Sequence, residues 1–183
     1  MSAATPESPS PANGFLPTSA HELQSRGWPA LDVLLLTGDA YVDHPSFGAA
    51  MIGRVLEAEG YRVGIIAQPD WKNIHSIQSM GRPRLFCGVT AGNLDSMLSN
   101  YTAARHKRKE DVYSEDGTPG KRPNHAAVVY AQMCRQAFPG LPVVLGGMEA
   151  SMRRVVHYDY WEDKLKPSIL TDAKADRSGR AHV

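Results

Sequence analysis

The segment Leu31-Asp-Val-Leu-Leu-Leu-Thr-Gly-Asp-Ala-Tyr-Val-Asp-His-Pro-Ser-Phe-Gly48 constrains this chain most: an apolar strand, broken only by Asp32, runs into a polar loop and then a helix start. A strand with apolar residues at consecutive positions is covered on both faces, the condition of a parallel sheet between helices. In such sheets the carboxyl ends of the strands open into a crevice, and the following helix aims unpaired N–H groups at its contents. Gly38, Asp39, Asp43 and His44 fall in this turn. They are candidate ligand-binding residues, although helix capping and loop satisfaction use the same residue types.

The flanking segments repeat the alternation. Ser19 followed by Glu22 forms a capping-box pattern for a short helix that Gly27 stops. Pro45 and Ser46 open an amphipathic crossover helix with Phe47, Met51 and Val55, and Ile52 and Leu56, at helical spacing, ending at Gly60. Tyr61 to Ala67 supplies a second strand, Ile74 to Met80 a short helix, and Leu85 to Thr90 a third strand opening into Ala91-Gly92-Asn93. Asn124 reads as the N-cap of a helix carrying Ala127, Ala131, Cys134 and Phe138 on one face and stopped at Pro139-Gly140. Leu141 to Gly147 is a fourth strand ending in paired glycines, which admit a ligand or form a tight turn. The fold class is α/β, a doubly wound and mainly parallel sheet. Thr90, Gly92, Asn93, Gly146, Gly147 and Glu149 then join Gly38, Asp39, Asp43 and His44 around one crevice.

Other features bound the function. A chain of 183 residues with net charge +1 can bury a substantial core, and no apolar run approaches the roughly 20 residues of a membrane helix. Residues 1–14 are rich in Pro, Ser, Ala and Gly and read as a disordered arm without the pattern of a secretory signal, so the expected location is the cytoplasm. Cys87 and Cys134 read as reduced core residues, and neither has a second cysteine at metal-ligand spacing; no metal or iron–sulfur site and no cofactor is expected from this chain alone. Residues 101–123, dense in charge, Gly and Pro, read as a surface insertion. Its basic run Arg105 to Lys109 could neutralise phosphates, but acids follow it, and a solvated loop is the better reading than nucleic-acid binding. Tyr158, Tyr160 and Trp161 suit an interface, or cover a sheet edge.

Several strings in order carry a further signal: Thr37-Gly-Asp-Ala-Tyr-Val-Asp-His-Pro-Ser-Phe-Gly48, Gly64-Ile-Ile-Ala-Gln-Pro-Asp-Trp71, Gly88-Val-Thr-Ala-Gly-Asn-Leu-Asp-Ser-Met97, Gly120-Lys-Arg-Pro123, Leu145-Gly-Gly-Met-Glu-Ala-Ser151 and His157-Tyr-Asp-Tyr-Trp161. Together they resemble the N-terminal domain of the YgiQ family of radical SAM proteins, over about residues 15–176. The resemblance implies a full-length parent that continues into a radical SAM barrel, whose CxxxCxxC cysteines hold a 4Fe–4S cluster that cleaves S-adenosylmethionine. It implies a fold similar to cobalamin-binding domains, and a non-catalytic domain packed on that barrel. The cobalamin-ligating pattern DxHxxG is not met, because Asp43 and His44 are adjacent. Corrinoid or nucleotide binding at the crevice is the alternative. Where the resemblance calls for an apolar strand the chain reads Arg177-Ser-Gly-Arg-Ala-His-Val183, so a truncated or frameshifted frame with a non-native tail over 177–183 is expected. Weak self-association through the orphaned aromatic surface is expected with it.

Overall fold

The computed structural model describes residues 14–178, so the expected arm lies, but for Gly14, outside the described residues. In chain order the elements that matter are helix α1 (Ala20–Ser25), strand β1 (Val33–Thr37), helix α2 (Gly48–Ala58), strand β2 (Val63–Ala67), helix α3 (His75–Gln78), strand β3 (Phe86–Thr90) and helix α4 (Ser96–Asn100). They continue with helix α5 (Ala126–Ala137), strand β4 (Val143–Gly146), helix α6 (Gly147–Met152), strands β5 (His157–Asp159) and β6 (Lys164–Lys166), helix α7 (Ile169–Ala173) and strand β7 (Arg177–Ser178). The main sheet has the order β2-β1-β3-β4-β7 and all its pairings are parallel; β5 and β6 form a separate antiparallel hairpin. This is the doubly wound α/β architecture that the sequence pattern predicts.

Strand side chains alternate, and the two faces have different covers. Leu34 and Leu36 of β1, with Cys87, Val89 and Leu145, pack into the larger core formed with Ile77 of α3 and Tyr130, Ala131 and Cys134 of α5. Val33 and Leu35, with Val63 and Ile65, face the other way onto Leu16 and α2. The capping box is present, with Ser19 Oγ accepting from Glu22 N and Glu22 reaching back to Ser19 N. No helix among the described residues is long and apolar enough to cross a membrane.

Four details depart from the sequence reading. The expected apolar face of α2 is open: Met51, Ile52 and Val55 are 43%, 50% and 55% exposed, and Ala50 and Gly53 are the buried residues. A Cβ at Gly53 would collide with Leu16 Cδ1. Leu16 of the N-terminal segment thus packs on the small-residue face of α2.

The cap of α5 is His125 in a left-handed conformation, not Asn124, whose amide instead bonds Tyr101 Oη and Asn100. The insertion 101–123 is only partly a surface loop: residues 105–110 are exposed, whereas Asp111, Ser114 and Arg122 are buried. The charges of Asp111 and Arg122 compensate one another. Finally, Arg177 and Ser178 pair with Val144 and Leu145, because an edge strand needs backbone groups rather than apolar side chains. Residues 179–183 lie outside the described residues.

Candidate functional site

The parallel strands deliver three loops to one end of the sheet. Gly38 N donates to Thr90 O at 3.2 Å, and Asn93 N donates to Asp39 Oδ2 at 2.6 Å. Asp39, Thr90, Gly92, Asn93, Gly146 and Gly147 all line one hollow of about 740 Å³. Its remaining wall is apolar, supplied by residues such as Leu35, Ile52, Phe86, Val144 and Met148. It extends from the strand ends along the face of β3 and β4 beside α2. The structure therefore brings six of the ten sequence-predicted residues together.

The other four sit apart from the hollow. Asp43 is ion-paired with Arg54, which also bonds Glu57 at 2.7 Å. The hydrogen bonds from Arg54 hold the Asp43 carboxyl below the ordinary carboxylate range. His44 accepts from Ser46 N through Nδ1 at 3.1 Å, closing its own turn. Gly38 packs where a Cβ would strike Ala91 O. Glu149 is buried, and its carboxylate accepts from Ser96 N at 2.8 Å and Ala127 N at 3.0 Å. It satisfies orphan donors at the starts of both α4 and α5.

Asp39 is tied into a network that the sequence reading did not include. Arg122, fully buried, places Nη1 2.8 Å from Asp39 Oδ1, sends Nη2 to Asp111 Oδ2 at 3.2 Å, and donates to Ala91 O. Burial outweighs the attraction of Arg122 and holds the Asp39 carboxyl above its ordinary range. A Cβ at Gly92 would collide with the Asp39 carboxylate, and one at Gly147, where φ is +79°, with Thr90 Oγ1. Gly92 and Gly147 are thus required by the approach of neighbouring loops, whatever the hollow holds. The string Gly120-Lys-Arg-Pro123 was the available signal for Arg122. Nothing in its local pattern distinguishes a buried arginine from a solvated one.

Elsewhere, Asp159 of β5 and Glu162 of the turn that follows meet His125 at the start of α5: one side-chain donor atom from each lies within 4.8 Å of the others. Tyr158 and Tyr160 are exposed on the same hairpin, while Trp161 is half-buried against Tyr101, with ring centroids 5.3 Å apart. Arg105 of the basic run stacks over Tyr160 and donates to its carbonyl at 2.6 Å.

The family model described as radical SAM N-terminal matches residues 15–178. The chain belongs to the radical SAM N-terminal family. This radical SAM N-terminal domain is 57% identical over 176 residues to a UPF0313 protein of Bradyrhizobium diazoefficiens, covering 96% of the chain and 26% of that relative. It is 56% identical over 173 residues to one of Rhodopseudomonas palustris, covering 94% of the chain and 25% of the relative. For a UPF0313 protein of Thermotoga neapolitana the figures are 59% over 162 residues, 88% and 29%. The chain thus spans about a quarter of the length of these relatives and corresponds to an N-terminal part of a larger protein. No solved structure matches it.

The donor set of this radical SAM N-terminal domain does not fit a 4Fe–4S cluster. Its two cysteines, Cys87 on β3 and Cys134 on α5, are both buried in the same core. The neighbouring Cys87 and burial push the Cys134 thiol well above its ordinary range, away from the thiolate that iron requires.

Proposed function

We propose that this radical SAM N-terminal domain is a non-catalytic packing module that docks on, and helps cover, the cluster-bearing remainder of full-length UPF0313 proteins. In those proteins the cluster would supply the electron that cleaves the sulfonium of S-adenosylmethionine. The observation that carries the reading is an apolar surface around the β5–β6 hairpin, where Met152, Val155, Val156, Tyr158 and Leu165 are each more than half exposed. Large apolar side chains left exposed on and beside one hairpin suit a surface that meets a partner. In this division of labour the chain contributes shape and apolar area, and its buried ionic network keeps the strand-end loops rigid against a partner.

Anaerobic reconstitution with iron and sulfide tests this division. The chain alone is expected to take up no stable cluster and to form no 5′-deoxyadenosine, while the full-length Thermotoga neapolitana relative does both. Cluster or product from the isolated chain above a protein-free control would overturn the reading.

A second reading is supported by the hollow at the strand ends, whose apolar wall and glycine-lined mouth suit the flat ring of a corrinoid or a nucleotide base. Titration calorimetry with hydroxocobalamin and with ATP distinguishes it. Heat of binding that disappears in Gly146→Val supports it, since Gly146 lines the hollow and a Cβ there meets nothing within 4 Å. No heat with either ligand leaves the packing role alone.

A further inference from the structure

We propose that His125, Asp159 and Glu162 form a site for a divalent transition-metal ion of the zinc type, which clips the β5–β6 hairpin to the start of α5. The three residues come from two separated parts of the chain, and each offers a donor atom within 4.8 Å of the other two. His125 Nε2 is already 3.8 Å from Glu162 Oε1. Ligand atoms around a tetrahedral zinc stand roughly 3.4 Å apart, given metal–ligand lengths of about 2.1 Å. A small inward movement of two side chains closes the site.

An independent observation points to a missing ligand. Asp159 is 3% exposed; its Oδ1 accepts from Trp161 N at 2.8 Å and Glu162 N at 2.9 Å, and its Oδ2, shielded from solvent, has no hydrogen-bond partner among the described residues. A buried carboxylate oxygen without a donor is costly, and a cation would remove that cost. His125 and Asp159 line a second hollow beside the hairpin, and Arg153, on its wall, is committed to Asp95. His157 Nδ1 faces Val155 O at 3.1 Å, and its Nε2 likewise has no partner among the described residues and belongs to a ring on the wall of that hollow.

The set defines the metal class. One imidazole and two carboxylates favour zinc or a neighbouring transition metal over magnesium and calcium, which prefer all-oxygen sites. Two anionic ligands also balance a divalent charge. Lys164 and Lys166 now bond the Glu162 carboxylate, so ammonium groups occupy the place of a cation there. Both belong to a short surface strand, and Lys164, whose side chain is 57% exposed, can turn to solvent when the metal arrives.

The test is calorimetric titration of tag-free, metal-free chain with zinc chloride, and in parallel with magnesium chloride. Zinc is expected to bind with one equivalent per chain and to raise the thermal midpoint, while magnesium does neither. Asp159→Asn, which keeps the Oδ1 acceptor, and His125→Asn, which tolerates the left-handed backbone, should each weaken zinc at least tenfold; His75→Asn, far from the site, should not. Glu162→Gln on the exposed hairpin provides the same reading without touching buried groups, and circular dichroism verifies that each variant is folded. Absence of zinc binding, or equal affinity in wild type and Glu162→Gln, would overturn the proposal.

Discussion

Arg122 Nη1 stands 2.8 Å from Asp39 Oδ1 with both side chains shut away from solvent, so the charged insertion is bolted to the loop that follows the first strand. The same guanidinium reaches Asp111 within the insertion. Removing one partner of such a set leaves an uncompensated buried charge. Arg122→Met should therefore destabilise the fold by about 3–5 kcal/mol, because two buried carboxylates lose their cation. Urea unfolding measures this directly, and an unchanged midpoint would show that the network is not required for stability.

The acids predict opposite pH responses. Asp39 is raised above its ordinary range by burial, so the folded state holds its proton more readily than the unfolded chain, and its contribution falls as pH rises from the ordinary carboxylate range through the raised value. Asp32 is lowered by the hydrogen bonds of Arg62, so its contribution is present above the ordinary range and is lost as pH falls through the lowered value. Unfolding midpoints recorded between about pH 3 and pH 7 should lose the acid limb in part in Asp32→Asn, and lose the decline toward neutrality in Asp39→Asn. Identical profiles for the two variants would contradict both assignments.

Much of the scaffold was legible from the chain. The consecutive apolar positions of β1 and the glycine or proline stops gave the parallel sheet and its order of elements, because burial on both faces leaves a direct compositional trace. What was hidden is long-range. The buried face of α2 is the one carrying Gly53, which meets Leu16 far away in sequence, while Met51 and Val55 lie open. Arg122 resembles any loop arginine until its three acceptors are assembled. Likewise, Glu149 sits in a conspicuous glycine-rich turn, yet its carboxylate serves helix starts on neighbouring elements.

Neighbouring glycines should differ in tolerance. Gly147→Ala places a Cβ against Thr90 Oγ1 at a φ of +79°, combining a left-handed strain of about 1–2 kcal/mol with a clash of similar size. Gly146→Ala has neither handicap and should shift stability by less than about 1 kcal/mol. Thermal melts of the pair check the contrast. Equal losses would mean that the close approach of β3 and β4 loops is not what demands glycine here.

The hairpin predicts weak self-association of the isolated chain. Tyr158 and Leu165 are cross-strand partners, 58% and 73% exposed, whereas Trp161 is engaged with Tyr101 and is better left intact. Light scattering should show concentration-dependent oligomers that diminish when Tyr158 and Leu165 are both changed to Ser, with the fold retained. A strict monomer at millimolar concentration would remove the claim of an uncovered surface.

Hydrogen exchange tests the packing role most directly. Peptides covering residues 152–166 should exchange quickly in this chain, and the aligned peptides of the full-length Thermotoga neapolitana relative should be protected at least tenfold more. Peptides from β1 and β3 should exchange slowly in both. Equally fast exchange of the hairpin in the full-length protein would contradict docking through this surface.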